Sequence, residues 1–434
     1  MRSVSFIFFL FIGLYSQWIF AMLPIQHWLT PSGVRVYFVE NQDLPILDVS
    51  IDFAAGSSTD TPEKSGRANL TRHLLNLGAG GLNEDQIAKA LADVGAQLGG
   101  HFDRDRAGLT LRTLSSERER QQALDIFSQI IQLPEFPENI MARERARLIA
   151  GIKDAYTKPD YIAERSLMSM LYGSHPYGLP ESGEISSLEA LQREDLIKFY
   201  RAYYTAKNAV IAIMGDVNRV EAAKIAESLT EQLPAGDSVP ALAPVQLPTA
   251  ETKKIAHPAS QSHIQLAYPG LRREDPDYFP LLVGNYILGG GGFVSRLMEE
   301  IRQARGLAYS TYSFFSPLRE QGPFEIGLQT KKEQADEALT ITRKVLADFV
   351  ADGPTEKELV AAKQNIIGGF PLRLDSNKKI LSYLAVIGFY DLPLTYLDDY
   401  IAAVENVTVQ QIEQAFQRRI NPNGMVTVVV GVAE

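Results

Sequence analysis

An internal duplication narrows the possible folds of this chain more than any other feature. Ile185, Leu188, Leu191, Leu196, Tyr200, Tyr204 and Gly215 align without a gap onto Ile401, Val404, Val407, Ile412, Phe416, Ile420 and Gly431, at a constant offset of 216. Each copy reads as a helix with apolar residues at helical spacing, followed by a buried β-branched strand that ends at Gly. The two halves also open alike. Val49, Ile51 and Phe53 alternate with polar residues as Ile264, Leu266 and Tyr268 do, which is the period of a half-buried strand. A chain of 434 residues has room for at least two domains, and the Pro-rich, aperiodic stretch over 233–248 marks the linker between them. The expected organisation is an N-terminal segment over 1–21, a first domain over 22–232, a linker over 233–258 and a second domain over 259–434. Each half mixes strands with long helices, such as those expected over 121–131 and 335–349. The fold class is therefore α+β, with helices packed on one face of each sheet.

The segment over 1–21 carries Arg2, an apolar run and then Ala21, the layout of a secretory signal peptide cut after Ala21. Ile19 is a poor match to the small residue wanted three positions before the cut, which leaves an uncleaved anchor as the alternative. No other apolar run is long enough to span a bilayer, so any membrane contact is expected only through this segment. The chain has no Cys, which excludes both a lipid-modified thiol and disulfides. These features point to an exported protein, periplasmic in a Gram-negative bacterium. A composition of 45% hydrophobic and 22% charged residues supports full cores rather than disorder. The formal charge of -10, without any basic run, argues against a nucleic-acid partner.

The stretch from Gly66 to Leu75 reads as an inverted zinc-binding helix, H-x-x-E-H, with most of its chemistry removed. In the intact motif two His four apart project onto zinc, and the Glu beside the second polarises a water. Here Asn69 replaces the first His, Arg72 replaces the Glu, and His73 alone survives. A guanidinium is no general base at neutral pH and repels a divalent cation. The run His101-Phe-Asp-Arg-Asp-Arg alternates so that His101, Asp103 and Asp105 share a face. It reads as a charged, solvated face or a bulge beside Gly99-Gly100 rather than as a rebuilt metal site. The Gly289–Gly292 tract lacks the Lys-Ser/Thr ending of a phosphate loop and reads as a flexible hinge before a helix over 293–305, capped by Gly306.

Several segments together resemble the pitrilysin and insulinase superfamily of zinc peptidases, particularly its short bacterial members and the mitochondrial processing peptidase subunits. They are Leu171-Tyr-Gly-Ser-His-Pro-Tyr-Gly178, Met214-Gly-Asp-Val217, and Leu288-Gly-Gly-Gly-Gly-Phe-Val-Ser-Arg-Leu-Met-Glu-Glu-Ile-Arg302 continuing to Tyr309. The resemblance covers nearly the whole chain after residue 21. It implies two similar domains, each a mostly antiparallel sheet, enclosing a chamber. It also implies a third zinc ligand, a Glu, in a run that corresponds here to Arg143-Glu-Arg-Ala-Arg-Leu-Ile-Ala-Gly-Ile152, with Gly151 in its place. Glu144 lies two helical turns from that position and is not expected to substitute. No catalytic residue and no metal are therefore expected in this chain.

In the resembling peptidases an Arg and a Tyr at the spacing of Arg302 and Tyr309 hold the substrate backbone near the scissile bond. Some members work as pairs, one chain bringing H-x-x-E-H and the other the Arg/Tyr pair. The resemblance thus implies a substrate-binding subunit of a heterodimeric zinc endopeptidase, with zinc supplied by a homologous partner and unstructured peptides as substrates. The alternatives are a structural or peptide-holding pseudopeptidase and, further off, a metallopeptidase active alone.

Overall fold

The computed structural model describes residues 24–432, so the expected signal segment over 1–21 lies outside the described residues. The first half contributes strands β1 (Gln26–Leu29), β2 (Arg35–Glu40), β3 (Ile46–Phe53), β4 (Gly78–Ala79), β5 (Leu82–Asn83), β6 (Gln97–Phe102), β7 (Ala107–Leu114) and β8 (Ala209–Gly215). The second contributes β9 (Thr252–Ala256), β10 (Gln261–Pro269), β11 (Ala308–Phe315), β12 (Pro323–Lys331) and β13 (Val426–Val432). Of the two large sheets one has the order β1-β2-β8-β3-β7-β6 and the other the order β9-β13-β10-β12-β11, while β4 and β5 pair in a small separate sheet. Apart from β1 these orders are the same. In each sheet the strand that ends the duplicated segment is parallel to one neighbour, β2 or β9, and antiparallel to the other. The helices Arg193–Tyr203 and Val409–Arg419 precede β8 and β13 as the duplication predicts.

β9 revises the expected linker. Residues Thr252–Ala256 pair with β13 and belong to the second sheet, so the irregular connection ends at 251. The strand is polar and almost wholly exposed, so no hydrophobic period betrays it. The connection itself is tethered along the body: the Asn208 side chain accepts from the Val239 amide, and Val245 is buried.

The helices of each half cover one face of its own sheet, as expected. Val36, Phe38, Val49, Ile51, Ile211 and Ile213 pack into the first-half core. The second face is covered from the opposite half. Helix Asn377–Phe389 lies across β2, β3 and β8, where Leu384 and Ala385 join a core with Tyr37, Val39, Val210, Ala212 and Met214. Helix Pro159–Tyr172 lies across β10 and β13, where Ala163, Leu167 and Leu171 meet Ala267, Val426, Val428 and Val430. The same offset of 216 carries 159–172 onto 375–388, so these helices are the duplicated counterparts of each other. Each sheet thus receives the other half's copy. Strand β8 reads as a continuous apolar run, and β13 as one interrupted only by the buried Thr427, because both of their faces are covered.

Asp105 fastens this exchange. It is not on a solvated face but buried at 3% exposure, just past the end of β6. Its carboxylate accepts from the Tyr177 hydroxyl at 2.6 Å, the Tyr390 hydroxyl at 2.9 Å and the Arg319 backbone N–H at 2.8 Å. Tyr177 belongs to the first half, Tyr390 and Arg319 to the second. Burial, only partly offset by these donors, pushes the Asp105 carboxyl above its ordinary value.

Asp105→Ala strands three buried donors, and it is expected to lower unfolding free energy by about 3 kcal/mol or more. Tyr390→Phe removes one bond and should cost only about 1 kcal/mol. Urea unfolding of both variants beside the parent measures the difference. Equal small losses would show that Asp105 does not hold the halves together.

Candidate functional site

The degenerate zinc helix spans Arg67–Leu74. Its N-terminus is held by Asp60, whose buried carboxylate accepts from the backbone N–H of Gly66 at 2.9 Å and of Ala68 at 3.1 Å. Burial pushes the Asp60 carboxyl up to about 7, against the opposing pull of Arg67 and these donors. The three motif residues point to three different supports. Asn69 donates from Nδ2 to the Glu181 carbonyl at 3.0 Å. Arg72 donates from Nε to the Gly108 carbonyl at 3.3 Å and lies against β6, where a Cβ on Gly100 would collide with the guanidinium. His73 Nε2 stands 2.9 Å from Glu144 Oε2.

Glu144 does reach the site, against the sequence expectation. Two turns along helix Glu138–Ala155 separate it from Gly151 but leave both on one face, a signal that the i, i+7 spacing already contained. It acts there as a partner for cations. Burial alone would raise its carboxyl, but hydrogen bonds from His73, Arg143 and Arg147 hold it down at about 2. At Gly151 a Cβ would have no neighbour within 4 Å. That opening belongs to a pocket of about 340 Å3 lined by His73, Glu144, Arg147, Leu148, Gly151 and Tyr161, among others.

These residues do not fit a zinc ion. The motif positions supply one imidazole, already bonded to a carboxylate, and otherwise a guanidinium, a neutral amide and a glycine, whereas zinc needs three or four N, O or S donors. Among the described residues no group of three or more His, Cys, Asp or Glu is placed to hold a metal. His101 is not part of a rebuilt site either. It pairs with the fully buried Asp52 of β3. Burial would raise the Asp52 carboxyl, but His101, Arg106 and Ser50 together hold it below its ordinary value. Asp103 instead closes a turn, accepting from the backbone N–H of Asp105 and Arg106 at 2.9 Å.

Arg302 and Tyr309 come together in the second half. The Arg302 guanidinium carbon lies 4.8 Å from the centre of the Tyr309 ring and 4.6 Å from that of Phe293. Both rings are largely exposed, Tyr309 at 80%. The helix before them departs from expectation, because Met298–Gln303 winds with wide π turns and the Ala304 N–H reaches the Glu299 carbonyl. Such turns recur at functional sites. The glycine tract is no loose hinge. Tyr286–Gly290 is a second π segment, and a Cβ on Gly289 would run into Ser313 of β11, so the tract permits close packing against the strand that carries Tyr309. Strand β11 is the outer strand of its sheet, and the exposed rings of Tyr312 and Phe314 stack 5.9 Å apart along it. Beside them on β12, burial and then the neighbouring Glu164 push the Glu325 carboxyl up to about 7.

Comparison with known proteins agrees with this architecture. The family model for insulinase-type peptidases, Peptidase family M16, matches residues 35–183, and the model described as Peptidase M16 inactive domain matches residues 190–366. A crystal structure described as a peptidase M16 inactive domain from Pseudomonas fluorescens superposes with a TM-score of 0.92 at 38% identity, covering 95% of this chain and 98% of that one. A Bacillus subtilis protein described as uncharacterized zinc protease YmxG is 25% identical over 82% of this chain and 86% of its own length. A Helicobacter pylori protein described as non-peptidase homolog YmxG is 24% identical over 93% of each chain.

Two measurements follow from the site. After dialysis, metal analysis should find no stoichiometric zinc on the purified chain, while the triple variant N69H/R72E/G151E, which restores the motif and places the third carboxylate in the open space at 151, should take up about one zinc per chain. One tightly held zinc on the parent would overturn this account. Glu325 generates a pH dependence. Its folded-state value lies above the ordinary 4.5, so its contribution is full below that value and is lost as pH rises through about 7. Glu325→Gln should therefore melt at a higher temperature than the parent at pH 8 and at the same temperature at pH 4.

Proposed function

The chain belongs to the M16 peptidase family, and we propose that within it this chain is the non-catalytic, substrate-binding subunit of an exported zinc metalloendopeptidase. Its own hydrolytic site is lost at Asn69, Arg72 and Gly151. The observation that carries the reading is the Arg302–Tyr309 stack, a part-buried guanidinium against an exposed phenol next to a sheet edge, in the half without the zinc motif. Exposed Phe293 and Tyr309 flank Arg302 together, a grouping of apolar surface of the kind that marks interaction sites.

The chemistry suits an extended peptide. Stacking between two rings fixes the plane of the Arg302 guanidinium and leaves its N–H groups free to donate to a peptide carbonyl. The Tyr309 hydroxyl can donate to an oxygen on which negative charge develops. The backbone of the peptide would add to an open sheet edge, with alternate side chains against the rings. A homologous chain with an intact H-x-x-E-H would supply zinc and the activated water, and the pair would work as a heterodimer in the periplasm.

The test is reconstitution. Alone, the chain should cleave no unstructured peptide. Mixed with a homologous H-x-x-E-H chain it should give chelator-sensitive cleavage. In that pair Arg302→Ala and Tyr309→Phe should each lower kcat/KM by roughly ten- to a thousandfold while the complex stays assembled. If the two side chains only support the fold, the variants should lose about 0.5–2 kcal/mol of stability and keep their turnover. Assembly without any gain in activity would favour a structural pseudopeptidase.

A further inference from the structure

We propose that the face left by the lost zinc is a receptor for the free C-terminal carboxylate of an extended peptide, anchored by the Arg72 guanidinium. The inference rests on the reading of the chain as a peptide binder, but on neither Arg302 nor Tyr309.

Arg72 is the unusual group. It is largely buried, and burial lowers its pKa without any carboxylate near enough to offset the effect; its titratable neighbour is the phenol of Tyr204, which burial pushes up and keeps neutral at pH 7. Among the described residues its guanidinium makes one hydrogen bond, from Nε to the Gly108 carbonyl, which leaves the terminal N–H groups to spare. Two other part-buried guanidinium groups are, by contrast, paired with carboxylates. Arg112 forks onto Asp48, and Arg296 onto Glu358. An unpaired one is an anion site waiting for its anion.

The acids around His73 and Arg143 cannot serve. Glu144 already accepts from His73, Arg143 and Arg147. Glu84 is taken by a two-pronged contact from Arg143 at 2.6 Å. Arg143 and Arg147 thus occupy Glu84 and Glu144, and Arg72 is left without a carboxylate partner.

Position selects the ligand. The guanidinium lies against Gly100 of β6, the outermost strand of the first sheet, whose Gly99 and Gly100 are exposed. A peptide added along this edge brings its main chain to the guanidinium. An internal peptide carbonyl there offers one neutral acceptor, whereas a terminal carboxylate offers two oxygens and a full charge to a planar fork. Hydrolysis of a peptide bond makes such a terminus, so within the proposed peptidase pair the reaction that supplies the ligand is endoproteolysis. The chain would then hold a cleaved product rather than an intact substrate.

The experiment compares three N-terminally labelled, unstructured peptides of one sequence on the full chain by fluorescence anisotropy. One ends in a free acid, one in an amide, and one in an amide preceded by a single Glu. The free acid should bind about tenfold more tightly than the amide, the difference expected for one charge-assisted two-pronged contact. Arg72→Gln should bring the acid down to the amide, and Arg72→Lys, which keeps the charge but not the fork, should fall between. Melting temperatures establish that the variants are folded, and the parent's acid-to-amide ratio decides the question if either is not. Equal affinity of acid and amide on the parent overturns the proposal and leaves the peptide-binding reading standing. A Glu-amide as tight as the free acid overturns the C-terminal assignment. No binding of any peptide overturns both.

Discussion

Each sheet in this protein is apolar on both faces, and its own half supplies helices for only one. That constraint organises everything else. Val210, Ala212 and Met214 of β8 point away from the first-half helices, as Val426, Val428 and Val430 of β13 point away from those of the second half. Left in water, each such set of side chains would forgo about 1.5–3 kcal/mol per large residue. The exchange of helices Pro159–Tyr172 and Asn377–Phe389 removes that cost for both sheets at once and makes each half a component of the other's core. Asp105 gives the arrangement direction. A nonpolar seam could slide, but a carboxylate that takes hydroxyls from Tyr177 and Tyr390 and an N–H from Arg319 has one satisfactory position.

The outer strands β6 and β11 are what the exchange leaves open. The borrowed helices cover β2, β3 and β8 on one side and β10 and β13 on the other, and both sheets end in strands with an unpaired edge. Natural proteins normally blunt such edges with charge or curvature. Here β6 carries glycines and β11 carries exposed aromatics, with a register shift between Ala308 and Thr311 that sets Tyr309 apart from the regular ladder. Neither edge carries the usual defence along its whole length, which is the feature that the proposed peptide binding draws on.

Much of this was legible from residue order, and the limits have physical causes. The duplication was visible because burial repeats at a fixed offset, from Ile185 to Gly215 and again from Ile401 to Gly431. The damage to the zinc helix was visible because Asn69, Arg72 and His73 sit within one turn of one another. The pairing of Arg302 with Tyr309 followed from a helix end adjoining a strand start. What escaped was either non-local or unmarked. Asp105 looks like part of an exposed charged run until Tyr390, 285 residues later, is folded onto it. Strand β9 has no hydrophobic period. The π turns at Met298–Gln303 leave no compositional mark, and the glycines before them suggest freedom where the fold demands contact.

The losses at the zinc site also form a consistent electrostatic set. In an intact site of this kind two buried carboxylates, the base and the third ligand, balance the dication. Once the metal is gone, those carboxylates would be buried and uncompensated, a state costing several kcal/mol per charge. Replacement by Arg72 and Gly151 removes both anions, and only the acid with cations of its own, Glu144, persists. The substitutions overshoot neutrality, however. Where metal and carboxylates once cancelled, one guanidinium stands without a counter-ion beside an open strand edge. A site selected only for inertness would more cheaply carry a neutral residue at position 72. Retention of a largely buried charge there, wedged against Gly100, is intelligible if the charge is met in use by an anion that the protein itself does not provide.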